Sequence, residues 1–565
     1  MNFNQILDNK LYPLDLLNLT SAEQIKTLIE QPDAVKIIRS LPSQHIALII
    51  KEVGISDCLE VLELLSTDQV KGIFDLEIWK KDRIDVTNLL PWIDAFISAD
   101  PKLAIKHFHN LDLELISLFF KLHSVIYDFS EESELPDFPK IYFISPDQKY
   151  IIFFYGEKKE SFLLFLRYYV DELYRRDARF ISQLLEAIQW ELVSSLEEKS
   201  YITKNFRLSD MGFHYFNESI SMFAYINPNK LFINLKEIEK IKRQFIVAKN
   251  KYFLPQTFFF TSFDKYEILK KSLIYLSVIE KKKLLYEIYS TINNVQIALG
   301  ESPLDNKALK RSSHFVLSSI NIALCYFSKN NEKTSACYLK TYKGKKLFKA
   351  GYSICLQPRK YWFLLQRNNC EIFNKNAINY LDFPLCDVVL GAISNKPVFF
   401  EGLFDYRKNN FDIFENLDEV IFTTQAVTEA AFRLYFIGKA FKQKFNNIKG
   451  SCAQTFATYL CWHLLNKSSS CNPFNQENLN NLFKRLVASD DGLVFSIEDK
   501  FKAELLGIDL VNSVFPIPGV NNLDQAIKKI KNYTQIVLQS IETEFSKITN
   551  TSIDIRFVNS ILTNL

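Results

Sequence analysis

A mainly α-helical protein is expected, with an N-terminal superhelical stack of short helix pairs, a small β-hairpin insertion and further all-helical domains behind it. Three observations carry that expectation. An apolar register of seven positions occurs twice in the first quarter of the chain, beginning at Ala34 and at Cys58. Glycine is scarce, 14 in 565 residues against 49 Phe and 26 Tyr, which suits long periodic helices better than folds built on tight turns. One short stretch, "KIYFISPDQKYIIFFYGE", has the aromatic and β-branched runs of a hairpin around Ser145 to Gln148.

In the register, Ala34, Ile37, Ile38, Leu41, Ile46, Ile49 and Ile50 correspond to Cys58, Val61, Leu62, Leu65, Val70, Ile73 and Phe74. Positions i, i+3, i+4 and i+7 share one face of a helix, so each set reads as two short amphipathic helices. Ser66 with Gln69 makes a capping box before the second helix of the second unit, and Ser21 with Gln24 makes the same signal earlier. A third copy places Ala104, His107, Phe108, Leu111, Ile116, Phe119 and Phe120 at the seven positions, with Asp112 as N-cap. The segment "DLEIWKKDRIDVTNLLPWIDAFISAD" stands before it as a decoration on one face of the stack. A single unit cannot bury its apolar face, and stacking supplies the core.

Residues 128–140 are acidic and Pro-containing, a linker ahead of the hairpin at 141–156. Helical periodicity then resumes and includes the basic stretch from Lys340 to Arg359, with Pro384, Pro397, Pro473 and "FPIPG" at 515–519 as stops. The expected division is 1–128 (helix-pair repeats), 129–240 (linker, hairpin and a helical domain), 241–400 and 401–565 (helical domains).

Net charge is only +3, with acid in excess over the first 250 residues and base in excess after them. So small a total does not mark a nucleic-acid partner, although Lys340 to Arg359 with Tyr361 and Trp362 is the best basic-aromatic cluster. The nine cysteines are odd in number, lack CxxC spacing and sit mostly in apolar helical stretches. They read as reduced side chains, and a cytoplasmic location is expected. The N-terminus lacks the basic and apolar regions of a signal peptide, and no run reaches the roughly 18 apolar residues of a membrane span.

No Walker A, GxGxxG, HExxH, GxSxG or EF-hand pattern is present, so no cofactor and no catalytic residue is assigned. His107 and His109, near Asp112 and Glu114, are the metal candidates, because imidazole and carboxylate together can hold a divalent ion. At i, i+2 on a helix the two rings point to different faces. His107 also occupies an inward position, so a hydrogen-bonded, partly buried side chain is the competing expectation. Cys461 and His463 diverge in the same way, which disfavours a nucleophile and base pair. Trp79, Asp82 and Arg83 in the inserted segment, and Arg207 with Asp210, mix aromatic or Arg anchors with charge in breaks between helices. They read as binding hot spots or as internal ion pairs that hold helix layers together.

At "IFDLEIWKKDRID" and "QWELVSSLEEKSYITKNFRLSDMGFHYFNESISMFAYINP" the chain resembles an uncharacterised bacterial family, domain of unknown function 6178, whose members are of about this length. Arg207 to Phe213, with Glu218 and Pro228, is the most specific part of that resemblance, and the region after about 450 is the least. The family implies no activity. Independently, residues 33–76 resemble the cytosolic N-domain of MgtE-type magnesium transporters, which implies a right-handed superhelix of helix pairs. By the same resemblance Glu60, Glu63, Asp68, Asp75 and Glu77 could attract Mg²⁺, though solvated helix faces explain them as well. The function expected from all this is a protein-interaction scaffold or adaptor with an unidentified protein partner. An enzyme with a site in the C-terminal helical region and a Mg²⁺-responsive regulator are the alternatives.

Overall fold

The structure, a computed structural model, describes residues 19–80, 83–128, 137–156, 160–243, 245, 265–374, 376–442, 450–466, 471–487, 495–546 and 554–564. Its helices fall into two compact units, one ending at Tyr352 and the other beginning at Ser353. The sequence reading cut the chain at 128, 240 and 400, where composition changes. Among the described residues, one apolar cluster has members from Ile25 to Ala350.

The first unit opens on helix Ser21–Ile29. Its capping box is formed by Thr20 and Glu23, one residue earlier in register than Ser21 and Gln24. The Ser21 hydroxyl instead donates to Glu52 at 2.9 Å, and Gln24 turns back to the Leu19 carbonyl. Helices Ala34–Ser40 and Ser43–Val53 follow, then Leu59–Leu64 and Thr67–Glu77. All seven positions of the second set are buried, as are six of the first; Ala34 is half-buried. The chain turns alike at the equivalent residues Leu41 (φ −75°, ψ 146°) and Leu65 (φ −61°, ψ 144°). The box at Ser66 is present, and Gln69 extends it by donating to the Ile38 and Leu41 carbonyls at 2.7 and 2.9 Å. One side chain thereby caps its own helix and ties it to the preceding pair.

The inserted segment forms the short ribbon β1 (Trp79–Lys80) and β2 (Arg83–Ile84) and a helix, Leu90–Ala99, that buries Trp92. Helices Pro101–His109 and Leu113–His123 come next, with all seven positions of the third set buried. The hairpin is part of a larger sheet. Strands β4 (Tyr142–Ile144) and β5 (Tyr150–Phe154) pair antiparallel, and β3 (Ser124–Asp128) pairs along the other edge of β5. β3 was missed because it continues directly from the end of a helix, without a turn signal between them. Helices Glu160–Arg176, Ala178–Trp190 and Val193–Ser209 then pack back on the pairs. The long helices Val278–Ala298 and Asn306–Ser328 complete the core. Gly351 lets helix Gly344–Cys355 approach it closely, since a Cβ there would lie 1.7 Å from the Ser319 carbonyl oxygen.

The second unit is built from helices Gln357–Asn368, Leu385–Ile393, Leu417–Ala440, Cys452–Asn466, Gln476–Val487, Ile497–Val514 and Leu523–Phe545. A two-stranded ribbon, β6 (Phe399–Phe400) with β7 (Phe411–Asp412), interrupts them. Pro384 stands at the N-cap of a helix, where its missing N–H costs nothing, and so it starts an element instead of stopping one. Among the described residues no helix is long and apolar enough to cross a membrane.

Candidate functional site

Helix Val193–Ser209 places two cations one turn apart, and they meet different environments. Arg207 reaches the second and third helix pairs. Its Nε and Nη2 donate to the two oxygens of Asp75, each at 2.8 Å, and its Nη1 donates to Asp112 at 2.6 Å. Lys71 also approaches Asp112, at 3.4 Å. Asp75 is only 2% exposed. Burial pushes its carboxyl up from the ordinary value, and the Arg207 guanidinium opposes that shift. Bidentate pairing of this kind fixes orientation as well as charge.

Lys204 has no such partner. It lies on the inward face with Leu196, Ser200 and Leu208, and is only 8% exposed. Its Nζ stands 4.9 Å from the ring centres of both Trp79 and Tyr201, an arrangement that stabilises the ammonium through the ring faces. No carboxylate among the described residues pairs with it. Burial pulls its pKa down to about 8, with Asp75 acting in the other direction.

These groups line a cavity of about 260 Å³, closed elsewhere by Asn205, Phe213, His214 and the turn from Gly300 to Pro303. Several carboxylates on its wall are already engaged. Asp75 holds Arg207, Glu77 holds Lys51 at 2.7 Å and accepts from the Trp92 indole at 3.2 Å, and Glu301 accepts from Arg311 at 2.9 Å. The Trp79 indole N–H is buried and lacks a hydrogen-bond partner among the described residues. His214 is half-buried, and burial lowers its pKa, aided by Lys345 and opposed by Glu218. Asp85, on the same wall, accepts from the Thr87 N–H at 3.0 Å, so the Lys204 ammonium and the Trp79 indole are the buried donors there that lack a hydrogen-bonded or ion-paired acceptor among the described residues.

From the segment Arg207 to Phe213, Leu208 and Phe213 belong to this wall. Asp210 is the exposed C-cap of the helix and does not pair with Arg207. Gly212 takes φ +83° against Ser290, which lets Phe213 turn inward. Trp79 lines the cavity, Arg83 is exposed on β2, and Asp82 lies outside the described residues.

The metal candidates do not converge. His107 is 3% exposed and packs on the Phe96 ring at 5.3 Å. Neither of its nitrogens has a hydrogen-bond partner among the described residues, which corrects the expectation of a hydrogen-bonded ring. Apolar neighbours account for this, and burial lowers its pKa to about 4. His109 turns to the Tyr169 hydroxyl at 3.1 Å, Asp112 to Arg207 and Lys71, and Glu114 is half-buried. Among the described residues no group of three or more His, Cys, Asp or Glu is placed to hold a metal ion. Cys461 is buried, and burial raises its pKa to about 12, so a thiolate is disfavoured there.

Sequence reasoning missed Lys204. The readable signal was a lysine at an inward helical position, but its burial depends on Trp79, more than a hundred residues away.

The fold and cavity describe a mainly helical protein with a pocket in its first unit that is lined by Trp79, Tyr201, a buried lysine and several carboxylates. Residues 5–564 match the family described as "Family of unknown function (DUF6178)", and the chain belongs to that family. Comparison with curated proteins and with solved structures gave no match.

Proposed function

We propose that the first unit is a receptor for a small anionic ligand, held in the cavity that Trp79, Tyr201 and Lys204 line. One observation carries this reading: a lysine buried beside a cavity with no carboxylate partner among the described residues. A buried charge without a counter-charge is costly, and a bound anion offsets that cost. Trp79, which lines the cavity, carries a second buried donor without a hydrogen-bond partner among the described residues, its indole N–H. Titration calorimetry with small carboxylates and phosphate tests the reading. Saturable binding that survives Lys204→Arg and is lost in Lys204→Met supports it, and equal binding by both variants refutes it.

A second reading, the interaction scaffold, is favoured by exposed apolar side chains at the junction of two helices and towards the far end of the second. Trp190 is 74% exposed, Leu192 70% and Phe206 75%. On this reading the three helix pairs form one superhelical stack in a cytoplasmic protein, as similarity to the N-domain of MgtE-type transporters implies, and ligand and partner binding act together. Recovery of the same partner by the wild type and its loss in Trp190→Ala with Phe206→Ala would support the scaffold; unchanged recovery would remove it.

A further inference from the structure

We infer that the Lys204 amine captures a small 2-oxo acid as an imine inside the cavity. This inference rests on the anion-receptor reading and adds the ligand's chemical class. The geometry favours it in three ways. The amine lies 4.9 Å from the ring centres of both Trp79 and Tyr201, which order its chain beside the cavity. The cavity suits a compact metabolite and not a long chain. No carboxylate among the described residues forms an ion pair with the nitrogen, and the nearby Asp75 is committed to Arg207 through both oxygens.

The reaction balances without an oxidant or reductant. The nitrogen lone pair of the neutral amine adds to the ketone carbon, and the carbonyl π pair moves to oxygen, which takes a proton. The nitrogen gives up a proton to water or to His214, which lines the same cavity. Loss of the hydroxyl as water then forms the C=N bond. Protonated, this iminium keeps a positive charge beside the acid's carboxylate, so the electrostatic reason for anion binding survives the covalent step. A pKa near 8 leaves a useful fraction of free amine at neutral pH.

The test is reductive trapping with pyruvate and cyanoborohydride, read by peptide mass spectrometry on the full chain. Lys80 also lines the cavity but is exposed, and it serves as the internal reference. Lys204 should be alkylated about tenfold faster than Lys80 in the folded protein, because the bound acid holds its ketone against that amine. That advantage should vanish in denaturing guanidinium. Lys204→Arg keeps the charge and removes the nucleophile, so it should bind pyruvate reversibly without an adduct at 204. If Lys204 reacts no faster than Lys80 while saturable binding persists, the imine is overturned and the receptor reading stands. If neither an adduct nor saturable binding is found, both fall.

Discussion

Replacing Asp75 by Asn should destabilise the first unit by about 2–3 kcal/mol. Two charge-assisted hydrogen bonds are at stake, each worth about 1.5–3 kcal/mol, and the isosteric amide turns one acceptor into a donor facing the guanidinium. The full sum is not expected. Arg207 keeps Asp112 at 2.6 Å, and its side chain is still 24% exposed, so water screens part of the loss. A thermal scan is a blunt instrument for a unit of this size, because roughly 2 cal/mol/K of unfolding entropy per residue compresses the change to a few degrees. Urea unfolding followed by tryptophan fluorescence resolves it better, as a midpoint shift of about 0.8 M for a slope near 3 kcal/mol/M. The loss should persist in molar salt, because Asp75 is buried and poorly screened. The exposed pair of Lys36 with Asp33 is the contrast, and Lys36→Ala should cost no more than about 0.5 kcal/mol. The decisive quantity is the coupling between Asp75→Asn and Arg207→Met in a double-mutant cycle. A coupling below about 0.5 kcal/mol would refute the claim that this pair joins the helix layers.

Gly351→Ala sets a Cβ 1.7 Å from a backbone oxygen, so two helices must separate; a loss of about 3 kcal/mol or more is expected, seen as insoluble or protease-sensitive protein. Ser66→Ala removes the acceptor for the Gln69 N–H and should cost about 1 kcal/mol in urea unfolding, and no change would show that Gln69 alone holds the turn. Burial holds His45 and His107 near pKa 4, below the 6.5 of the unfolded chain, so both are neutral in the fold. Their contribution is complete above pH 6.5 and is lost as pH falls from 6.5 towards 4, at about 1.4 kcal/mol per pH unit for each ring. His107→Leu should flatten the stability profile over that window by one ring's share, and a parallel profile would count against the assignment.

The helix pairs were legible because each is specified locally. Apolar spacing gives the buried face, and Ser66 with Gln69 gives the start of a helix within four residues. The Thr20 and Ser21 boxes show the limit of that kind of signal. Both match the same pattern one residue apart, and the choice is made by Glu52, which takes the Ser21 hydroxyl from another helix. The site was legible only in part. Arg207 was visible as an anchor, but Asp210 was the nearest acid in sequence, while Asp75 and Asp112 are the nearest in space. Lys204 carried no motif at all.

Lys204 and Arg207 on helix Val193–Ser209 explain each other. Asp75 lies close enough to influence both, and it pairs with Arg207 alone. The planar guanidinium takes both of its oxygens and spans to Asp112 as well, which a single ammonium cannot do. Lys204 is therefore left to the faces of Trp79 and Tyr201, charged and open to an incoming anion. The cavity's chemistry follows from a competition decided one turn away. An arginine at 207 ties the helix layers together, and by monopolising the carboxylate it also keeps the lysine at 204 available.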